Sequence, residues 1–113
     1  MITVLHNNRC SKSRAMVEFL KENNEEFEIR DIINQPPTVE ELKEVLVKLG
    51  LEVDDIIRKD EALFKEEFKD KVKTEGEKLK MLSENPKLIQ RPIVIKENNA
   101  VIGRPLENVK SLL

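Results

Sequence analysis

The sequence predicts an α/β domain. Short apolar runs at residues 2–5 and 27–33 flank a stretch whose apolar residues recur at helical spacing. Two further apolar runs, at 93–95 and 100–102, are joined by Asn98-Asn99, and a charged, helix-prone stretch separates the two halves. Strand-like and helix-like periods therefore alternate along a chain of 113 residues, a length that suits one domain with a single modest core.

The elements follow in order. Residues 2–5 are largely apolar and partly β-branched, as a buried strand requires. Over 12–23, Met16, Val17, Phe19 and Leu20 form a helical stripe, and Asn23-Asn24 ends it. Residues 27–33 read as a second strand, with Phe27, Ile29 and Asp31 alternating against Glu28 and Arg30. Asn34-Gln35-Pro36-Pro37 breaks the chain, and Thr38 with Glu41 forms a capping box for a helix whose stripe is Val39, Leu42, Val45, Leu46 and Leu49. Gly50 closes that helix. A further helical turn is expected at 53–57, ending at Arg58. Two helices follow over 61–85, with stripes of Leu63, Phe64, Phe68 and Val72, then Leu79, Met81 and Leu82, and Gly76 is expected near their junction. Pro86 follows the second. The runs 93–95 and 100–102 form an antiparallel hairpin, and Pro105 begins a last helix with Leu106, Val109 and Leu112 on one face.

The order is β-α-β, a helical segment, then β-β-α. A βαβ unit followed by a hairpin and a closing helix is the thioredoxin-like (glutaredoxin-like) plan. The expected architecture is one such domain over 1–113, with a helical insertion at roughly 38–86 between its halves.

Composition narrows the function. Charged residues make up 37% and hydrophobic ones 39%, which fits a globular protein with a heavily charged surface. A net charge of −2, no Trp, no Tyr and four Phe argue against direct contact with DNA or RNA, since neither a global positive field nor stacking surfaces are supplied. No apolar run approaches the roughly 20 residues of a membrane span. One cysteine excludes an intramolecular disulfide, a CxxC pair and a Cys-rich zinc site, and suits a reducing compartment. The expected location is the cytoplasm.

That cysteine, Cys10, lies in the run His6-Asn7-Asn8-Arg9-Cys10-Ser11-Lys12-Ser13-Arg14, where the first strand gives way to the first helix. A helix N-terminus and nearby cations favour thiolate over thiol, and the same exposed N–H groups suit an oxyanion. The alternative is a buried structural thiol. His6, the only histidine, could support the thiolate or simply be a hydrogen-bonding residue. Ser11 and Ser13 could cap the helix, and Ser13 could also hydrogen-bond the thiolate. Lys12 reads as a solvated side chain, and Arg14 could face solvent or the anion. A phosphatase loop is excluded, because it needs Cys-x5-Arg and the spacing here is Cys10-x3-Arg14.

Four blocks in order, His6-Asn-x-x-Cys10-x-x-Ser13-Arg14, Arg58, Arg91-Pro92-Ile93-Val94 and Gly103-Arg104-Pro105, resemble the glutaredoxin-coupled arsenate reductase family across the whole chain. The likeness is greatest to its compact bacterial branch. The resemblance implies a thioredoxin-like fold with a helical insertion, Cys10 as nucleophile, and Arg58, Arg91 and Arg104 as the arginines that bind the oxyanion and stabilise an arseno-cysteine intermediate. It implies supporting roles for His6, Ser13 and Arg14, and a cis Arg91-Pro92 bond facing the site. One departure is Asn8, which stands where the family usually has proline and leaves the loop less restricted.

The implied reaction is reduction of arsenate or a similar oxyanion, with glutathione as co-substrate, glutaredoxin as partner, no bound cofactor or metal, and a monomeric protein. The cysteine count independently demands an external reductant. Guanidinium forks suit a tetrahedral oxyanion better than ammonium groups do. Each arginine alone also reads as a surface ion-pair partner, most clearly Arg58 beside Asp54, Asp55 and Asp60. Arg91 and Arg104 differ, because each precedes a proline at a strand boundary. Two other functions remain open. Spx-type regulators share the fold and bind RNA polymerase, but their redox-switching members carry a CxxC pair, and Ser13 stands at the second position here. A thiol oxidoreductase acting on an unknown substrate is the other. The Glu/Lys run over 61–80 reads as a solvated helical face.

Overall fold

The computed structural model describes residues 2–7, 11–104 and 106–113, so the expectations placed on Asn8, Arg9, Cys10 and Pro105 lie outside the described residues, as do the side chains of Lys12 and Leu106. The elements are β1 (Ile2–His6), α1 (Ser11–Glu22), β2 (Phe27–Asp31), α2 (Val39–Leu49), α3 (Ala62–Glu67), α4 (Glu75–Glu84), β3 (Ile93–Lys96) and β4 (Asn99–Ile102). Short 3₁₀ turns at Val53–Ile56 and Pro86–Leu88 and a 3₁₀ helix at Leu106–Leu112 complete the chain.

The four strands form one sheet in the order β2-β1-β3-β4. β1 runs parallel to β2 and antiparallel to β3, and β3 is antiparallel to β4. Alternation along β1 and β3 divides the core, because neighbouring side chains on a strand point to opposite faces. Ile2, Val4 and Val94 pack with Met16, Leu20 and Val109 on one face. Leu5 and Ile93 pack on the other with Leu42, Ile56, Leu79, Leu82 and Ile89 from the helical segment. β1 is therefore covered on both sides, which is why it reads as an almost continuous apolar run.

Two local expectations need correction. β2 ends at Asp31 rather than at residue 33, and Ile29 is exposed although its register partner Val4 is fully buried. β2 is the sheet's edge strand, and Ile29 lies at its uncovered margin. The inward residue is Ile32, fully buried in the turn after the strand. The closing helix is 3₁₀ rather than α, seven residues from Leu106 to Leu112. Gly76 lies near the junction of α3 and α4, as expected: Thr74 caps α4 through a box with Glu77, and Gly76 falls in the first turn of that helix.

The Thr38–Glu41 box forms as expected: Thr38 Oγ1 accepts from the Glu41 N–H at 3.1 Å and Glu41 Oε1 from the Thr38 N–H at 3.0 Å. Gly50 takes a left-handed φ of 68° and donates to the Leu46 carbonyl at 2.9 Å. The same Glu41 accepts a bidentate contact from Arg30 of β2, whose guanidinium also reaches the carbonyls of Gln35 and Pro36, each at 3.1 Å. This clamp fastens the edge strand to the start of α2. Arg30, with the Thr38 N–H, holds the Glu41 carboxyl down to about 2.

A carboxyl depressed in the folded state stabilises the fold above its ordinary value, and that contribution is lost as pH falls towards its folded value. Glu41→Gln keeps a capping acceptor but loses the ion pair. The pair is partly exposed, so the expected cost at pH 7 is about 1 kcal/mol. Urea denaturation should show the wild-type advantage intact above about pH 4.5, shrinking as pH falls below it. A pH-independent difference would show that charge is not what Arg30 contributes.

Candidate active site

The site is built where β1 ends and β3 begins. Leu5 is the register partner of Ile93, so His6 and Asn7 leave β1 beside the segment that carries Arg91 and Pro92 into β3. His6 and Asn7 are both buried. His6 is the register partner of Asp31 at the end of β2. Burial pushes the Asp31 carboxyl up, but the N–H groups of Ile33 and Asn34, the Asn34 side-chain amide and the neighbouring His6 outweigh it and hold it below its ordinary value. Asp31 Oδ1 accepts from the Ile33 N–H at 2.9 Å, an Asx turn that ends the strand.

Arg91 is buried to 8% exposure, and its Nη1 donates to the carbonyls of Lys87 at 2.8 Å and Ile89 at 3.5 Å. These carbonyls hold the guanidinium in place. The Arg91-Pro92 peptide is cis. Two backbone hydrogen bonds bring Arg58 to the same region: the Arg58 N–H donates to Leu88 at 2.7 Å and the Gln90 N–H to Ile56 at 2.8 Å, around an antiparallel bridge between Ile57 and Ile89. Arg104 joins from the far side, its Nε donating to the Arg91 carbonyl, while the Gly103 N–H donates to the Pro92 carbonyl at 2.8 Å.

The three arginines thus sit on directly bonded segments, but their surroundings differ. Arg91 lines a cleft of about 570 Å³ with Asn7, Asp31, Asn34, Glu61 and Lys87. Arg104 lines a different cleft, with Asp55 and Gln90. Arg58 pairs with Glu61 at 3.0 Å, not with Asp54, Asp55 or Asp60. Asp54 instead pairs with Lys59 and Lys78.

Ser13 is fully buried on α1, and its Oγ has no hydrogen-bond partner among the described residues. Arg14 and Ser11 are exposed. Cys10, the expected nucleophile, lies outside the described residues and directly precedes α1 in the sequence. Among the described residues no cluster of His, Cys, Asp or Glu could hold a metal ion, and no helix is long and apolar enough to cross a membrane.

The sequence reading did not single out Glu61, Lys87 or Asn34 as cleft residues. Glu61 and Lys87 are charged residues in helical or turn segments, and nothing in their local pattern separates them from solvated neighbours. For Asn34 a signal existed: Asp-x-x-Asn after a strand is turn chemistry that aims polar groups at a strand end.

The sequence profile of the ArsC family matches residues 5–112. This chain belongs to the ArsC family. It is 37% identical over 114 residues to an arsenate reductase of Neisseria meningitidis, covering 99% of this chain and 97% of that protein. An uncharacterised Escherichia coli protein is 36% identical, with 99% of this chain and 96% of that one covered. The structure of an arsenate reductase from Vibrio cholerae superposes with a TM-score of 0.93 at 36% identity, over 99% of this chain and 97% of that one. The fold of this ArsC-family chain is thioredoxin-like, as expected.

Gly103, next to Arg104, sits where a side chain has no room. A Cβ there would lie 2.4 Å from Met16 Cε and 3.2 Å from Pro92 Cγ. Met16 is fully buried, so its methyl has little room to retreat. Gly103→Ala should destabilise the protein by about 1–3 kcal/mol, read from the denaturant midpoint. An unchanged midpoint would show that α1 and the 103–104 segment are not packed as described.

Proposed function

We propose that this ArsC-family protein is an arsenate reductase that works through Cys10 and is recycled by glutathione and glutaredoxin. The observation that carries the reading is the buried Arg91. It is fixed by backbone carbonyls and bonded through its own carbonyl to Arg104, at the end of the strand whose continuation leads to Cys10. Cations held rigidly away from bulk water are what the meeting of a thiolate and an oxyanion demands. The kinship with arsenate reductases supplies the substrate.

In this reading the Cys10 thiolate attacks arsenic, a sulfur–arsenic bond forms, and one arsenate oxygen leaves as water after protonation. Arsenic stays at +5 in this step. Two external thiols, glutathione and then glutaredoxin, supply two electrons and end as a disulfide. Arsenic reaches +3, arsenite leaves, and Cys10 returns as thiolate. Arg91 and Arg104 neutralise the gathering charge, and Arg58 acts beside them while paired with Glu61. Ser13 offers a buried hydroxyl three residues after the nucleophile, suited to stabilising the thiolate. His6, buried at the strand end, helps tune it.

Arsenate-dependent NADPH oxidation, coupled through glutathione, glutathione reductase and glutaredoxin, tests the proposal. Cys10→Ser should abolish turnover. Arg91→Ala should lower kcat/KM by about 10²–10³, the usual cost of removing one preorganised donor to a developing anion. Full turnover in Cys10→Ser would remove the mechanism, and an Arg91→Ala enzyme with unchanged kcat/KM would remove Arg91 from it.

A further inference from the structure

A separate cleft lies on the helical segment. Its volume of about 390 Å³ falls within the usual range for small-molecule sites, about 300–1,000 Å³. None of the residues that line it lines the clefts of Arg91 or Arg104. Its floor is apolar. Ile57 and Phe64 belong to the buried core and reach the surface only here, and half-buried Val72 packs against the same core cluster.

Four lysines surround this floor, Lys59, Lys65, Lys69 and Lys78, with a single carboxylate, Asp54. The chain as a whole carries a net charge of −2, so the balance in the cleft runs against that of the molecule. Asp54 is already matched: Lys78 at 3.0 Å and Lys59 at 3.4 Å both pair with it. These contacts, Lys78 foremost, hold its carboxyl below the ordinary value and keep it ionised. Lys65 and Lys69 are exposed and paired with no carboxylate among the described residues. Lys65 lies on α3, and Lys69 follows four residues later, where the chain has left the helix. Their acidic neighbours Glu66, Glu67 and Asp70 do not line the cleft. Part of the Glu/Lys run thus does more than solvate a helix, because it sets two unpaired ammonium groups at the edge of an apolar floor.

Such a lining suits a ligand with two parts. An apolar body takes the floor out of water, and an acidic head meets ammonium groups that have no other partner. An inorganic oxyanion would use only the second part, and exposed lysines alone hold such an ion weakly. We infer that this cleft binds a small amphiphilic anion, an organic carboxylate or phosphate ester whose head meets Lys65 and Lys69 and whose apolar body lies on Ile57, Phe64 and Val72. The inference is independent of arsenate and of Cys10.

The first probe is 1-anilinonaphthalene-8-sulfonate, an anion on a rigid apolar body. Added to the full chain, it should bind saturably, one molecule per chain, and shift the amide NMR signals of Lys65, Lys69 and Val72. N-phenyl-1-naphthylamine, the same body without the sulfonate, should bind at least tenfold more weakly. The double variant Lys65→Glu/Lys69→Glu should weaken sulfonate binding about tenfold or more. Lys71→Glu/Lys73→Glu makes the same charge change at exposed positions outside the cleft and should alter it less than twofold. Decanoate and decyl phosphate compete with the probe, and the stronger competitor identifies the head group.

Equal affinity in the two double variants would overturn the inference, as would equal binding of the neutral analogue. Amide shifts confined to other residues, or failure of both competitors to displace the probe, would overturn it too. None of these results touches the reductase reading, because Arg58, Arg91 and Arg104 do not line this cleft.

Discussion

Two backbone hydrogen bonds, from the Arg58 N–H to Leu88 and from the Gln90 N–H to Ile56, hold the site together. They pin the turn that carries Arg58 to the segment that leads into β3, residues far apart in sequence. Ile56 and Ile89 flank them and are both fully buried, so the bonds are shielded from water and the isoleucines add apolar burial to the same junction. Without this junction the helical segment would cover the sheet but would carry no defined relation to Arg91. With it, Arg58, Arg91 and Arg104 fall on three strands of chain that bond directly to one another.

The same junction answers the difficulty of burying a cation. A guanidinium moved from water to a protein interior is costly unless its donors are met. Arg91 meets part of that need with carbonyls from its own approach segment, Lys87 and Ile89, which are fixed in turn by the Pro86–Leu88 turn and the bridge to Ile57. These carbonyls position the guanidinium. Arg58 is held by a side chain. Its partner is a full carboxylate, Glu61, which lowers its value as an anion receptor and raises its value as part of the wall.

How far the sequence disclosed this depended on the range of each signal. Strands buried on both faces and helices with boxed N-termini declare themselves within a few residues, so β1, β3, α1 and α2 were legible, and so was the Thr38–Glu41 cap. The equivalent Thr74–Glu77 box is equally local and fixes the start of α4, with Gly76 beside the junction. Ile29 could not be assigned correctly by alternation, because alternation names a face and not whether anything covers it at a sheet edge. The short closing helix has an apolar stripe that a 3₁₀ helix also satisfies over two turns. For the site, Arg91 and Arg104 were legible through their proline-flanked blocks. Arg58's true partner was not, since three acidic residues competed and only the fold at the N-cap of α3 selects Glu61.

The acidic groups explain why three arginines on bonded segments are not equivalent. Asp31 and Glu61 line the same cleft as Arg91, whereas Arg104 lines a separate one with Asp55 and Gln90. Glu61 is held by Arg58 at 3.0 Å, and Asp31 by the Ile33 and Asn34 N–H groups, so both carboxylates have fixed positions on the wall. A fixed wall of mixed sign selects among ligands by where their charges fall and not by net charge alone, so the same fold that gathers the arginines also restricts what can approach them.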